Sequence, residues 1–258
     1  MPDAQVYLVP MSPLEKIWAE YNADFPAKDA SRLKLIKVPK MLSGTAAFPV
    51  SSGLIRQRGS DSLLPFPTQG VMFIGNDPDS VGNYNQRAKS GFSNGDREQP
   101  KRNLMPYWKA VYRILGQATA RGANLCESDC FFTNVYPALR EGDQNTGGSR
   151  ADSKFLEWCL KFLGTQVSIM APRIVVVFRR EACRSVGLGG DEKSDVRVSD
   201  TRISVQDDVA ALITPVVCMW HPSRRPHPGF SSQAELDELN TDCLINALGK
   251  ASRSSNLR

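Results

Sequence analysis

Four short apolar runs constrain the fold more than any other feature of this sequence. They span residues 71–74, 131–135, Ile174–Phe178 and 215–220, and each is continuous and rich in Val, Ile and Phe rather than alternating with polar residues. Strands that are covered on both faces have this pattern. The runs therefore predict four buried strands of a parallel sheet.

Helical patterns lie between and after the apolar runs. Apolar residues recur at helical spacing over residues 106–120, 152–167 and 236–248, and Gly249 stands at the expected end of the last segment. Strands that alternate with helices predict an α/β fold of a single domain, with three layers (α/β/α) and a central four-stranded parallel sheet.

The remainder of the chain reads as additions to this core. A helix is expected near residues 13–21, and a stretch rich in Ser, Gly and Pro follows it at 43–69. We interpret residues 1–66 as an N-terminal helix and extended accessory segment packed on the core domain at 67–249, and residues 250–258 as a frayed tail. The polar segment 191–208 reads as a hairpin or a mobile insertion.

Composition limits the classes of protein. The chain has 32 Lys and Arg against 27 Asp and Glu, and this net charge of +5 suits a polyanionic partner without requiring one. No stretch approaches the ~20 apolar residues of a membrane helix, and the N-terminus lacks a signal-peptide layout, so a cytoplasmic protein is expected. The six cysteines are widely spread and predict free thiols, and two histidines make a zinc site unexpected.

Polar residues follow three of the apolar runs directly. In parallel sheets ligands bind beyond the carboxyl ends of the strands, so these residues are expected to share one cleft. Asp77 offers a carboxylate that orients water or stabilises a cation, Asn134 an amide that reads the edge of a pyrimidine, and His221 a donor to an oxygen that gains negative charge. The segments are Gly75-Asn76-Asp77-Pro78-Asp79-Ser80, Asn134-Val135-Tyr136-Pro137 and His221-Pro222-Ser223-Arg224-Arg225.

In this order and spacing, the motifs resemble those of the uracil-DNA glycosylase superfamily, over about residues 71–230. Gly75-Asn76-Asp77-Pro78 is similar to the first motif of that family, whose third residue positions the hydrolytic water. Phe92 falls at the spacing of the base-stacking Phe, and Asn134 ends the strand that carries the pyrimidine-reading Asn. His221-Pro222-Ser223 is similar to the last motif, in which His polarises the leaving base.

The resemblance implies a monofunctional DNA glycosylase that flips a pyrimidine out of the DNA and leaves an abasic site. No lysine stands in the motifs as a Schiff-base nucleophile, and no cofactor or metal is expected. The implied partner is single- or double-stranded DNA, bound by a monomer, in base-excision repair or anti-phage defence. The implied roles are catalysis for Asp77 and His221, base binding for Gly75, Asn76, Asp79, Phe92 and Asn134, and DNA binding for Ser80, Ser223, Arg224 and Arg225.

Two departures from the family bear on the substrate. The main uracil-excising branch has a Tyr after Asp-Pro that crowds C5 of the base, whereas this chain has Asp79. A short acidic side chain leaves room for a C5 substituent, such as a hydroxymethyl group or a glucosylated one on cytosine. Arg225 resembles the single-strand-selective monofunctional branch, which tolerates hydroxymethyl groups at C5.

Two other interpretations stay open at this point. Asp77-Pro78-Asp79-Ser80-Val81, with Thr133 after it, fits a Mg²⁺-dependent phosphatase of the haloacid-dehalogenase type, although the later acidic pair of that family has no counterpart after a strand. The chain also fits a non-catalytic DNA-binding module on the same fold. Taken singly, Asp77 is as compatible with a helix cap, Asn134 with a turn and His221 with a surface histidine.

Overall fold

The computed structural model describes residues 13–37, 50–51, 69–75, 80–82, 106–125, 129–141, 153–178, 182–183, 198–202, 215–220 and 231–255. Its strands are β1 (Leu35–Ile36), β2 (Val50–Ser51), β3 (Val71–Gly75), β4 (Cys130–Asn134), β5 (Leu139–Arg140), β6 (Ile174–Phe178), β7 (Val198–Arg202) and β8 (Pro215–Met219). Its helices are α1 (Pro13–Asp24), α2 (Ala27–Arg32), α3 (Pro106–Ala120), α4 (Ser153–Met170) and α5 (Gln233–Ser255).

The main sheet has the strand order β2-β4-β3-β6-β8-β7. Its four central strands are mutually parallel, while β2 and β7 pair antiparallel at the two edges. The four apolar runs of the sequence are these four central strands, so the predicted parallel sheet is confirmed. The strand β7 lies inside the polar segment 191–208 and pairs antiparallel with β8, which lies outside that segment.

Burial on both faces explains why the central strands carry continuous apolar runs. Every residue of β4 and β6 is buried, and Phe73 of β3 stacks on Phe132 and Phe178 with ring centroids 4.9 and 5.7 Å apart. Alternate side chains of each strand enter two separate apolar clusters. One cluster packs against α1 and α4, and the other packs against α3 and α5, which gives the predicted three layers.

The N-terminal segment is built into the first of these clusters. Ile17 and Tyr21 of α1 are fully buried among residues of α4 and the sheet. The ring of Tyr21 lies 5.5 Å from that of Trp18 and 5.5 Å from that of Phe162. Beyond α2, strand β1 pairs antiparallel with β5 in a small second sheet.

The last helix differs from the prediction. Helix α5 continues through Gly249 to Ser255, so Gly249 does not end it, and residues 250–255 are helical rather than frayed. Glycine inside an exposed helix costs only ~1 kcal/mol relative to alanine. Leu248 and Ala251 are buried on either side of Gly249, and this packing carries the helix past it.

Two further findings concern the thiols and the membrane. Four cysteines at described positions are free thiols: Cys159, Cys183, Cys218 and Cys243. Burial raises the pKa of the Cys243 thiol to about 11, and it also raises the pKa of the Cys159 thiol. Among the described residues, no helix has the length and apolarity to cross a membrane.

Candidate functional site

The strand order predicts where a ligand cleft opens in this sheet. From β3 the chain crosses to β4 on one side, whereas β6 is followed by β7 and β8 on the other side. Such a reversal leaves a crevice beyond the carboxyl ends of the two strands between which it occurs. A crevice is therefore expected beyond the carboxyl ends of β3 and β6, which end at Gly75 and Phe178.

Gly75 and Asn134 are neighbours at this edge. They are paired residues in the parallel ladder of β3 and β4, and the Val135 N–H donates to the Gly75 carbonyl oxygen at 2.9 Å. A Cβ atom on residue 75 would lie 2.6 Å from the Asn134 Oδ1 atom, which is closer than real Cβ contacts come. Glycine at 75 is thus what allows the Asn134 side chain to lie across the end of β3.

The Asn134 amide is nearly buried, and it forms no side-chain hydrogen bond with another described residue. Its relative exposure is 9%, and no side-chain hydrogen bond joins it to another residue in the part of the chain that the structure describes. A buried amide normally has hydrogen-bond partners, because desolvating it without them costs free energy. Within the described part of the chain, the donor and the acceptor of this amide thus have no hydrogen-bond partner.

Thr133, one residue earlier, faces the other side of the sheet. Its hydroxyl donates to the Gln166 Oε1 atom of α4 at 2.7 Å, and both residues are buried. This hydrogen bond joins α4 to β4 on the face of the sheet opposite to the Asn134 side chain. Thr133, which the phosphatase interpretation included, is thus engaged with Gln166 of α4.

A second buried amide holds the chain directly before His221. Asn240 of α5 is fully buried, and its Oδ1 atom accepts from the Trp220 N–H at 3.2 Å while its Nδ2 group donates to the Trp220 carbonyl oxygen at 3.2 Å. The side chain thus acts as a strand partner for Trp220, the first residue after β8. The Trp220 carbonyl belongs to the planar peptide unit that leads into His221.

Ser80 is placed differently from its predicted role. It is fully buried, and its backbone forms a parallel bridge with Arg140, just after the Asn134 strand. A buried side chain does not face a DNA phosphate, so the structure favours a structural role for Ser80. The bridge joins the end of the Gly75–Ser80 motif to β5, which follows the Asn134–Pro137 motif.

The other predicted site residues lie outside the described part of the chain. They are Asn76, Asp77, Asp79, Phe92, His221, Ser223, Arg224 and Arg225. The described strands end two residues before each of the two catalytic candidates, at Gly75 for Asp77 and at Met219 for His221. Their roles remain predictions.

Comparison with protein families decides the affiliation. The family model described as the uracil DNA glycosylase superfamily matches residues 63–243, which is most of the chain. The chain belongs to the uracil-DNA glycosylase superfamily. The match runs from before β3 into α5, and so covers all three motifs. A comparison with curated proteins finds no match.

Membership of the glycosylase superfamily supports a DNA glycosylase type of function. The members of this family act on DNA, and the three-layer α/β domain agrees with the family fold. The match includes Asp77, Asp79 and Thr133, which were the residues offered for a phosphatase. The phosphatase interpretation is therefore set aside.

Sequence reasoning missed Asn240 and Gln166, although both left a signal. Asn240 interrupts the apolar stripe of the last helix, four residues after Leu236 and four before Leu244. Gln166 likewise precedes Val167 on the buried face of α4. A polar residue on an apolar helical stripe indicates a buried hydrogen bond, because an unpaired one would destabilise the fold.

Proposed function

We propose that this protein is a monofunctional DNA glycosylase that hydrolyses the N-glycosidic bond of a flipped-out pyrimidine and leaves an abasic site. The base would enter the crevice beyond β3 and β6, and water would be the nucleophile. Extrusion of a base from the stack costs a few kcal/mol, which contacts in the pocket must offset.

The observation that carries the proposal is the Asn134 amide. It lies nearly buried at the carboxyl edge, across the end of the strand that leads to Asp77, with no partner among the described residues. A carbonyl oxygen and an N–H on one pyrimidine edge match the donor and acceptor of a single amide. A pyrimidine edge would use both groups of this asparagine.

The chemistry assigns complementary roles to Asp77 and His221. Cleavage of the glycosidic bond places positive charge on the sugar and negative charge on the departing base. The Asp77 carboxylate would orient water and stabilise the sugar cation, while His221 would donate to the base oxygen that gains charge. Asn240 supports this assignment, because it fixes the peptide unit that leads into His221.

The substrate we propose is uracil or a pyrimidine modified at C5, such as a hydroxymethylated or glucosylated cytosine. Asp79 stands where the main uracil-excising branch has a crowding Tyr, and it supplies a hydrogen-bond acceptor. Arg224 and Arg225 would contact the DNA backbone beside the opened base pair. Excision of such a base serves repair of the cell's own DNA or defence against phage DNA.

Mass spectrometry of released bases tests the function. DNA that contains uracil, 5-hydroxymethyluracil, 5-hydroxymethylcytosine or glucosylated cytosine is incubated with the protein in EDTA, in single- and double-stranded form. We expect one free pyrimidine and an alkali-labile site. Asp77→Asn and His221→Ala are each expected to lower the rate by ~10²–10³-fold. DNA binding without base release on every substrate would contradict catalysis and favour a binding module.

A further inference from the structure

The N-terminal segment contacts the chain that carries Asn134, although it lies outside the family match. The match begins at residue 63, whereas α1, α2 and β1 occupy residues 13–36. These elements meet residues 137–141, directly after Asn134, at three separate points. This chain therefore supports its proposed base-reading strand with residues that the family domain does not include.

The first point is a buried hydrogen bond from Tyr21. The Tyr21 hydroxyl donates to the Pro137 carbonyl oxygen at 2.7 Å, and Tyr21 is fully buried. Pro137 is three residues after Asn134 and is itself buried. Trp18 stacks on the Tyr21 ring, and Phe162 packs against it at 5.5 Å, so the hydroxyl is a rigidly held donor.

The second and third points lie on β1 and on Lys34 directly before it. Leu35 and Ile36 pair antiparallel with Arg140 and Leu139, and the Glu141 N–H donates to the Lys34 carbonyl oxygen at 2.8 Å. Lys34 adopts a left-handed conformation with φ of 55°, which L-residues rarely adopt unless the surroundings impose it. The geometry thus fixes the chain that follows the Asn134 strand at four residues, Pro137, Leu139, Arg140 and Glu141.

The start of the same turn is fixed by the sheet. The Val135 N–H is held by the Gly75 carbonyl oxygen, so residues 135–141 are anchored at both ends. Between the two anchors, the Tyr21 side chain supplies a hydrogen bond from the N-terminal segment to the turn. Displacement of the turn would move Asn134 relative to Gly75, where the clearance is already small.

We propose that Tyr21 is a positioning residue that fixes the turn after Asn134 and so keeps the amide aligned with the bound base. The inference rests on the proposed function, in which Asn134 reads that base. It makes the N-terminal segment part of the base-reading apparatus rather than a separate attachment. Alignment of reacting groups matters because small misplacements of substrate cost large factors in rate.

Tyr21→Phe tests the proposal, because it removes the hydroxyl and keeps the ring. The substrate is whichever oligonucleotide of the uracil, 5-hydroxymethyluracil and 5-hydroxymethylcytosine set the wild-type protein cleaves fastest. We expect the single-turnover rate per folded molecule at 10 °C to fall roughly tenfold. KM for the DNA is expected to stay within about twofold, because contacts with the DNA backbone are untouched.

Thr119→Val is the matched control. The Thr119 hydroxyl contacts the Leu125 carbonyl oxygen at 3.0 Å, in the connection that enters β4 at its other end. Like the Tyr21 contact, it joins a hydroxyl to a backbone carbonyl in a segment next to β4. It lies at the end of β4 that is remote from Asn134. We expect some loss of thermal stability and an unchanged rate.

Coupling to Asn134 separates positioning from a general structural role. Asn134→Ala should itself slow base release, and Tyr21→Phe added to it should cause little further loss. The positioning role alone would be overturned by either of two results, provided that the wild-type protein is active. One is that Tyr21→Phe slows base release by the same factor with Asn134 and with Asn134→Ala, and the other is that Tyr21→Phe by itself leaves the rate unchanged. A wild-type protein that releases no base from any substrate would instead overturn the proposed function, and the positioning role with it.

Discussion

At the level of single residues, the site depends on two close approaches between polar side chains and backbone. Gly75 leaves the space that the Asn134 amide occupies, and Asn240 hydrogen-bonds to the backbone N–H and carbonyl of Trp220 at the end of β8. Both features lie at the same edge of the sheet, because β3, β4 and β8 run in parallel. Each can be perturbed without substituting Asn134, Asp77 or His221.

Gly75→Ala tests the first close approach. The new Cβ atom would lie 2.6 Å from the Asn134 Oδ1 atom, so the amide has to move. We expect the single-turnover rate of base release to fall by roughly tenfold or more. Gly116→Ala is the control, because a Cβ atom there meets nothing within 4 Å, and it should raise stability by ~1 kcal/mol without changing the rate. An active Gly75→Ala variant would contradict the role of Asn134.

Asn240→Leu tests the second. It leaves the Trp220 N–H and carbonyl without their partner, and we expect a loss of about 2 kcal/mol in the free energy of unfolding, measured by urea denaturation. Base release should also slow, because the peptide unit before His221 is less constrained. Asn246→Leu on the exposed face of the same helix should change stability by less than ~0.5 kcal/mol. Equal effects of the two variants would refute the argument.

At the level of elements, the sequence predicted the parts of the fold that have a strong apolar pattern. The runs that became β3, β4, β6 and β8 are buried on both faces, and continuous burial leaves a continuous apolar pattern. The predicted end of α5 was wrong. Leu248 and Ala251 pack on both sides of Gly249 and carry the helix past it, and no local feature of the sequence indicates this packing. The edge strand β2 is too short to leave a pattern.

The start of α5 yields a prediction about pH. Glu235 accepts from the Ser231 N–H at 2.7 Å and from its hydroxyl at 2.8 Å, and its own N–H donates to the Ser232 hydroxyl oxygen. The Ser231 backbone hydrogen bond is the largest cause of the lowered pKa of Glu235. The charged form therefore stabilises the fold above the unfolded pKa, and this contribution is lost as the pH falls through the folded pKa.

Glu235→Gln should accordingly lower the thermal midpoint at pH 7. The difference from the wild-type protein should shrink as the pH falls below the ordinary glutamate value of 4.5, because the wild-type carboxyl is then protonated as well. Differential scanning fluorimetry across this range measures it. A difference that stays constant down to pH 2 would show that the charge has no part in the cap.

At the level of the whole molecule, the sequence analysis described an accessory N-terminal segment packed on a core domain. In the structure, buried side chains of α1 join this segment to the core. Ile17 and Tyr21 are fully buried in the same cluster as Met72 and Val175 of the central sheet. The sequence placed a helix there but had no signal for its contact with Pro137, because that contact joins residues 116 positions apart. Long-range pairing of this kind leaves no local period.

Shared burial predicts that residues 13–37 and the sheet unfold together. Trp18 and Trp158, two of the four tryptophans, both pack on Tyr21 at the contact between α1 and α4. Tryptophan fluorescence therefore reports in part on this contact, while far-UV circular dichroism reports on the whole fold. We expect the two urea transitions to share one midpoint, as in two-state unfolding. An earlier fluorescence transition would show that the N-terminal segment detaches as a separate unit.

The central claim is that an extruded pyrimidine is read by the Asn134 amide in the crevice beyond β3 and β6. A crystal structure of the Asp77→Asn variant with an oligonucleotide that carries a cleavage-resistant 2′-fluorinated nucleotide of the released base tests it most directly. We predict the base outside the helix, with its edge within ~3 Å of the Asn134 amide atoms. A base that stays stacked in the DNA, or that binds away from Asn134, would contradict the account.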